Sequence, residues 1–212
     1  RIWMGNRTSR RARRWRGGRV SDHGYPHEIT GVETRKLGMW VFLSTEILFF
    51  GTLITTYLIF KGRSFDGMRL EDVYDIPFTS VSSFVLLMSS LTMVLAHNAI
   101  EKSDQERTNI WLLSTALLGA VFLAGQIYEF TEFYHKGFTL DVIIYGSTFY
   151  VLTGFHGAHV FIGVVLLLIL WGIGVRQEGL SLEGGMNLEF IALYWHFVDI
   201  VWIVLFTVVY LI

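Results

Sequence analysis

Residues 142–175 read VIIYGSTFYVLTGFHGAHVFIGVVLLLILWGIGV, thirty-four positions without one Asp, Glu, Lys or Arg. At a rise of about 1.5 Å per residue, roughly 20 helical residues cross a hydrocarbon core of ~30 Å. The stretch shows no period-two alternation, which disfavours an outer-membrane strand. Lipid offers no partner to an open backbone, so a span must satisfy its own hydrogen bonds as a helix. The expected crossing is 144–174.

Four further segments share this character. They are 37–60, with Glu46 as its one charge; 78–100, with none; 108–130, with Glu129 near its end; and 188–212, carrying Glu189, His196 and Asp199. The expected fold class is therefore all-α, a multispanning membrane bundle of five transmembrane helices over 37–212, preceded by a basic tail over 1–36. The breaks at Lys61–Pro77, Glu101–Arg107, Thr131–Asp141 and Arg176–Asn187 are short and polar, and Pro77 suits a helix start.

Composition agrees. Charged residues make up 17% and hydrophobic residues 52%, against the roughly 25% charge of a soluble domain. Two prolines, no cysteines and 16% aromatics argue against disorder and against a disulfide scaffold. The missing cysteines also exclude thiol nucleophiles, Cys-ligated zinc, iron–sulfur clusters and covalently attached c-type haem. No phosphate loop, dinucleotide fingerprint or hydrolase elbow is present. Paired broken helices of the transporter kind are missing too.

Ten of the seventeen Lys and Arg lie within residues 1–36. Their excess on one side predicts a cytoplasmic N-terminus and an outside C-terminus, with 13 basic residues inside against 4 outside. Without the tail the count is 3 against 4, so the assignment rests on the tail. Arg10, Arg11, Arg13 and Arg14 beside Trp15 read as an anchor on anionic headgroups, with no nucleic-acid partner. No short apolar region with a small-residue cleavage site follows, so a secretory signal is not expected.

Ionisable groups at mid-membrane usually face the interior of a bundle. Glu46 and Asp199 each lie ~13 Å from one end of their spans, and His156 ~18 Å from the opposite end, so the three share one depth and can meet. Burial in apolar surroundings disfavours a charged carboxyl, so Glu46 is expected to be neutral or paired with a histidine. His156 and His159, at i and i+3, share a helix face and read best as interhelical hydrogen-bond donors. A bis-His haem between His156 and His196 is the competing use. His196 and Asp199, also i and i+3, read as a self-contained pair that neutralises the carboxylate, with a proton relay as the alternative. Glu129 and Glu189 lie near span ends, where interfacial solvation accounts for them, and Glu129 is also counted with Glu46, His156, His159, His196 and Asp199 among the buried polar, proton-linked candidates. An aromatic belt of Trp40, Trp111, Tyr128, Tyr145, Trp171 and Tyr210 is expected at the span ends. Ala116, Ala120 and Ala124 on the third span, with Gly154 and Ala158 on the fourth, offer faces for close helix approach.

Three motifs carry a resemblance. Arg35-Lys36-Leu37-Gly38-Met39-Trp40 running into Ser44-Thr45-Glu46-Ile47-Leu48-Phe49-Phe50 resembles the opening core helix of subunit III of haem–copper terminal oxidases. Tyr145–Tyr150 followed by Thr153-Gly154-Phe155-His156-Gly157-Ala158-His159-Val160 is similar to that family's central helix, and Tyr194–Trp202 to its last. Gln126–Phe130 adds a weaker fourth piece.

The resemblance implies the five-helix bacterial type of an accessory subunit in cytochrome c oxidase, a proton-pumping oxygen reductase of the aerobic respiratory chain in the bacterial plasma membrane. It implies that the enzyme activity belongs to the complex, with no cofactor or metal in this chain and haem and copper in partner subunits. It implies partners in subunit I, which it stabilises, and in subunit II, with small subunits or a respiratory supercomplex beyond them. Structural phospholipids and support of proton uptake are implied as well. Many members carry two further N-terminal helices, and a basic tail stands in their place here. Quinol oxidase subunit III and the accessory protein of nitric oxide reductase are relatives with the same motifs, and a stand-alone bis-His membrane cytochrome is the reading from a different class. Glu46 matches the family's carbodiimide-reactive carboxylate. Dicyclohexylcarbodiimide should therefore modify Glu46, read by peptide mass, while Glu46→Gln abolishes the adduct.

Overall fold

A computed structural model describes residues 34–61, 75–136, 144–177, 180 and 182–212. It contains α1 (Thr34–Phe60), α2 (Ile76–Glu101), α3 (Gln105–His135), α4 (Ile144–Arg176) and α5 (Leu182–Phe206), closed by a π turn over Thr207–Leu211. All five helices are long and apolar enough to cross a membrane, and no strand occurs among the described residues. The basic run of the tail lies outside those residues, but Thr34–Lys36 already belong to α1.

The helix ends follow from local chemistry. Asp75 caps α2 by accepting from Phe78 N–H at 3.2 Å, with Pro77 in the first turn. Asp104 caps α3 through Arg107 N–H at 3.1 Å. Between α2 and α3 lie only residues 102–104, with Ser103 at φ 59°, a left-handed conformation that lets so short a chain reverse.

Two helices outrun their apolar stretches. The α3 helix continues from 130 to His135, and α5 begins at Leu182 and passes through Gly184 and Gly185. Helical hydrogen bonding does not stop where hydrophobicity does, and interfacial polar residues sustain it. Hydroxyls on the outer face of α1 bond back to their own helix, as Ser44 to Trp40 O, Thr52 to Leu48 O and Thr55 to Gly51 O, each at 2.8 Å. Lipid-facing hydroxyls are thereby satisfied without a neighbour.

Helices α2, α3, α4 and α5 form a closed ring in which each packs on the next and α5 returns to α2. The α1 helix lies outside it, against α4 and α5. At the centre is Trp195 of α5, fully buried. Its indole fills a notch left by two missing side chains. A Cβ at Gly119 of α3 would lie 2.5 Å from the ring, and one at Gly163 of α4 would lie 2.8 Å from it. The indole N–H donates to Ser89 Oγ of α2 at 3.0 Å. One side chain thus touches all three other helices of the ring.

The small-residue ladder works differently from its expected role. Ala116 is buried, but Ala120 and Ala124 are exposed. With Gly154, Gly157 and Ala158 they line an apolar groove of about 540 Å³ between α3 and α4. Tight contacts between these helices are made at Gly119, where a Cβ would also meet Val164 of α4 at 2.9 Å, and at Gly157 and Gly174 of α4, where one would meet Gln126 at 2.7 Å and Asn109 at 2.5 Å. Of the aromatic belt, Trp40 and Tyr128 are exposed near span ends, but Tyr210 is buried, and the side chain of Tyr145 falls outside the described residues.

Gly119→Ala and Gly163→Ala should each destabilise the bundle by ~1–3 kcal/mol through overpacking against Trp195. Gly154→Ala, where nothing lies within 4 Å of the added carbon, should change it by less than about 0.5 kcal/mol. Thermal unfolding of the three variants in one detergent reads the difference.

Candidate functional site

The acids and histidines expected to converge at one depth divide into separate centres. Glu46 on α1 meets His159 on α4, with Oε2 and Nε2 3.1 Å apart. The other ring nitrogen, Nδ1, lies 2.7 Å from Phe155 O. A carbonyl only accepts, so Nδ1 carries a proton. One further proton then sits between Nε2 and Oε2. Whether written as acid with neutral imidazole or as carboxylate with imidazolium, the pair has no net charge. That is the form in which such groups are least costly in lipid. The rings of Phe50 and Phe49 flank His159 at 5.1 and 6.2 Å, and Tyr194 of α5 donates to His159 O at 3.0 Å. Neither His156 nor Asp199 joins this pair.

His156, one turn before His159, is fully buried and is not the interhelical donor expected of it. Neither ring nitrogen has a hydrogen-bond partner among the described residues. Its neighbours on α1, α3 and α5 are rings: Phe50 at 6.4 Å, Phe122 at 6.0 Å, and Trp202 stacked at 4.8 Å with 26° between planes. Aromatic faces replace the acceptors that a hydrogen bond would need.

His196 does not pair with Asp199. Its Nδ1 lies 2.6 Å from Ser90 Oγ of α2. Asp199 is 3% exposed, and neither carboxyl oxygen has a hydrogen-bond partner among the described residues. Residues at i and i+3 do meet on a helix, but here the neighbouring helix supplies a hydroxyl that the imidazole reaches first.

Glu129 is not in the solvated interface. It is 6% exposed and accepts from Thr79 of α2 at 2.8 Å and from Tyr210 at 3.0 Å. The π turn, by winding one residue more per hydrogen bond than an α-helix, belongs to the segment that presents Tyr210 there. Glu189 does lie half-exposed near a span end, paired with Lys36 at 2.9 Å.

Sequence reasoning missed the hydroxyls that these groups use. Ser83, Ser89 and Ser90 of α2 face Trp202, Trp195 and His196 of α5. The signal was present as serines recurring in a charge-free span, at 83, 89 and 90, and as a last span that carries Trp195, His196 and Trp202 at matching intervals. Gln126 was also unread, and it donates to Thr153 O of α4 at 2.6 Å. Among the described residues no three His, Asp or Glu side chains gather as a metal-ligand set.

Glu46→Gln should be tolerated, because its amide N–H can still donate to His159 Nε2. Glu46→Leu should cost ~1–3 kcal/mol by leaving Nε2 of the half-buried imidazole unpaired. The double change Glu46→Leu with His159→Leu should recover part of that loss, giving a coupling of ~0.5–3 kcal/mol in a thermal-stability cycle.

The family model described as cytochrome c oxidase subunit III matches residues 19–212. A protein named probable quinol oxidase subunit 3 from Staphylococcus saprophyticus is 40% identical over 178 residues, which is 84% of this chain and 88% of that one. Cytochrome c oxidase subunit 3 of Bacillus sp. (strain PS3) is 39% identical over 82% of this chain and 84% of its own. Probable quinol oxidase subunit 3 of Staphylococcus haemolyticus is 37% identical over 88% and 96%. With a matching model over most of its length and relatives covered nearly end to end, this chain belongs to the cytochrome c oxidase subunit III family.

Proposed function

We propose that the chain is the redox-silent, non-catalytic subunit III of a proton-pumping haem–copper oxygen reductase in the bacterial plasma membrane. It stabilises catalytic subunit I, supports proton uptake and holds structural phospholipid, with the N-terminus cytoplasmic. The observation that carries this reading is how the membrane histidines are used. His159 is committed to Glu46 and to Phe155 O. His196 is committed through Nδ1 to Ser90. His156 is stacked against Trp202. His156 is enclosed by Phe50, Phe122 and Trp202 and His196 is turned to Ser90 of α2, which argues against a bis-His haem between them. The redox centres then belong to partner subunits.

Buried polar pairs that close on themselves suit a scaffold. The groove between α3 and α4, lined by Ala120, Ala124, Gly154, Ala158 and Phe161, is apolar and elongated as an acyl chain requires. The excess of Lys and Arg before Leu37 supports the orientation. Relatives named for quinol and for cytochrome c stand at nearly equal identity, so the electron donor follows from another subunit of the complex.

Purification from native membranes should recover the chain with subunits I and II, with all haem and copper in those partners. Glu46→Gln should leave initial oxygen consumption within about twofold of wild type, since the exchanged hydrogen bond is worth only ~1 kcal/mol. Omitting the chain should shorten the active lifetime of the oxidase. Immediate loss of haem reduction in an assembled Glu46→Gln complex, or a Soret band from the isolated chain, would overturn the assignment.

A further inference from the structure

The α2–α5 seam holds polar atoms that the scaffold does not use. The pairs Ser83–Trp202, Ser89–Trp195 and Ser90–His196 run in opposite directions along the two helices, so these pack antiparallel in one register. Above Ser90, at i+7 on α2, lies His97, which is close enough to His196 to interact electrostatically. Its Nδ1 is buried without a partner among the described residues, and its Nε2 lies 3.5 Å from Glu101 at the end of α2. Below Ser90 lies Asp199, which that serine also flanks. Both Asp199 oxygens are buried and unpartnered among the described residues. A carboxyl buried with so little hydrogen bonding is costly to leave without further polar partners. The unpaired atoms alternate with paired ones along a line, from exposed Glu101 to buried Asp199. Ser90 is eleven residues from Glu101, ~16 Å along the axis.

The geometry points to a file of bound water in this seam, entering beside Glu101 and His97, passing Ser90 and His196, and ending at Asp199. Water with two to four polar partners is the ordinary solution for buried unsatisfied atoms, and Glu101, His97, Ser90, His196 and Asp199 supply polar atoms in that order along the seam. The file opens on the membrane face that carries the α2–α3 turn. The opposite end is closed, because Trp202 donates to Ser83 and packs edge-on against Phe122 at 4.8 Å. The ligand is water, and with it protons exchanging between Asp199 and one side of the membrane. This assignment stands on the seam alone and does not depend on which electron donor the oxidase uses.

The chain has no cysteine, so single cysteines report without background from it. In native membrane vesicles holding the whole complex, Ser90→Cys should react with silver ion at least about tenfold faster than Val94→Cys, because a thiolate forms readily only where water reaches. Val94 lies closer to the α2–α3 turn but is 50% exposed on the outer surface of the bundle, so depth alone predicts the reverse order. Reaction should occur from the α2–α3 face only. Radiolytic hydroxyl labelling of the wild-type complex gives a second reading that needs no variant. His196 should be oxidised, and ring-enclosed His156 should not. Ser90→Cys reacting no faster than Val94→Cys, or equal labelling of the two histidines, overturns the proposal.

Discussion

The ring of four helices depends on the seat of one indole. Trp195 is large, and in a lipid-spanning bundle its burial gains little from a hydrophobic effect, because lipid tails are as apolar as the protein interior. Contact density and the N–H bond to Ser89 must hold it. The glycines at 119 and 163 supply the density, since each removes the one atom that would keep α3 or α4 away from the ring. Specificity follows as well. A helix rotated or shifted by one residue would bring a Cβ to the place where the indole needs none.

Around this seat two of the membrane acids obey a second constraint: charge has to be cancelled or shared locally. Glu46 does so across helices with His159, and Glu129 does so with two hydroxyls. These centres also differ in what they join. The Glu129 knot ties α2, α3 and the C-terminal π turn, all near one membrane face. The Glu46 clasp, with Lys36–Glu189 at the other end of the same contact, holds α1 to helices that otherwise complete their ring without it.

The five crossings were legible because 20-residue apolar runs admit few structures in lipid, and Pro77 marked a true helix start. Helix ends were less legible. Apolar character reports depth in the membrane, whereas helices run on into the interface, as α3 does to His135 and α5 does from Leu182. The partners of the acids were least legible. Nothing along the chain near Glu129 foretells Tyr210, which is eighty-one positions away and is carried on a π turn that no periodicity announces. His196 chose Ser90 over Asp199 for a related reason. A serine in an apolar run looks neutral in sequence, yet across a seam its hydroxyl both donates and accepts and lies within reach of the imidazole.

The Glu46 clasp has a consequence for biogenesis. Its two halves are separated by 113 residues, and α1 leaves the ribosome first. At ordinary synthesis rates the imidazole emerges on the order of ten seconds after the carboxyl. During that interval the leading helix resides in the bilayer or the insertion machinery with its acid unescorted, and the surface that will receive it does not yet exist. The α1 helix is thus made well before the surface that holds it, and completion of the fourth helix is the event that recruits it.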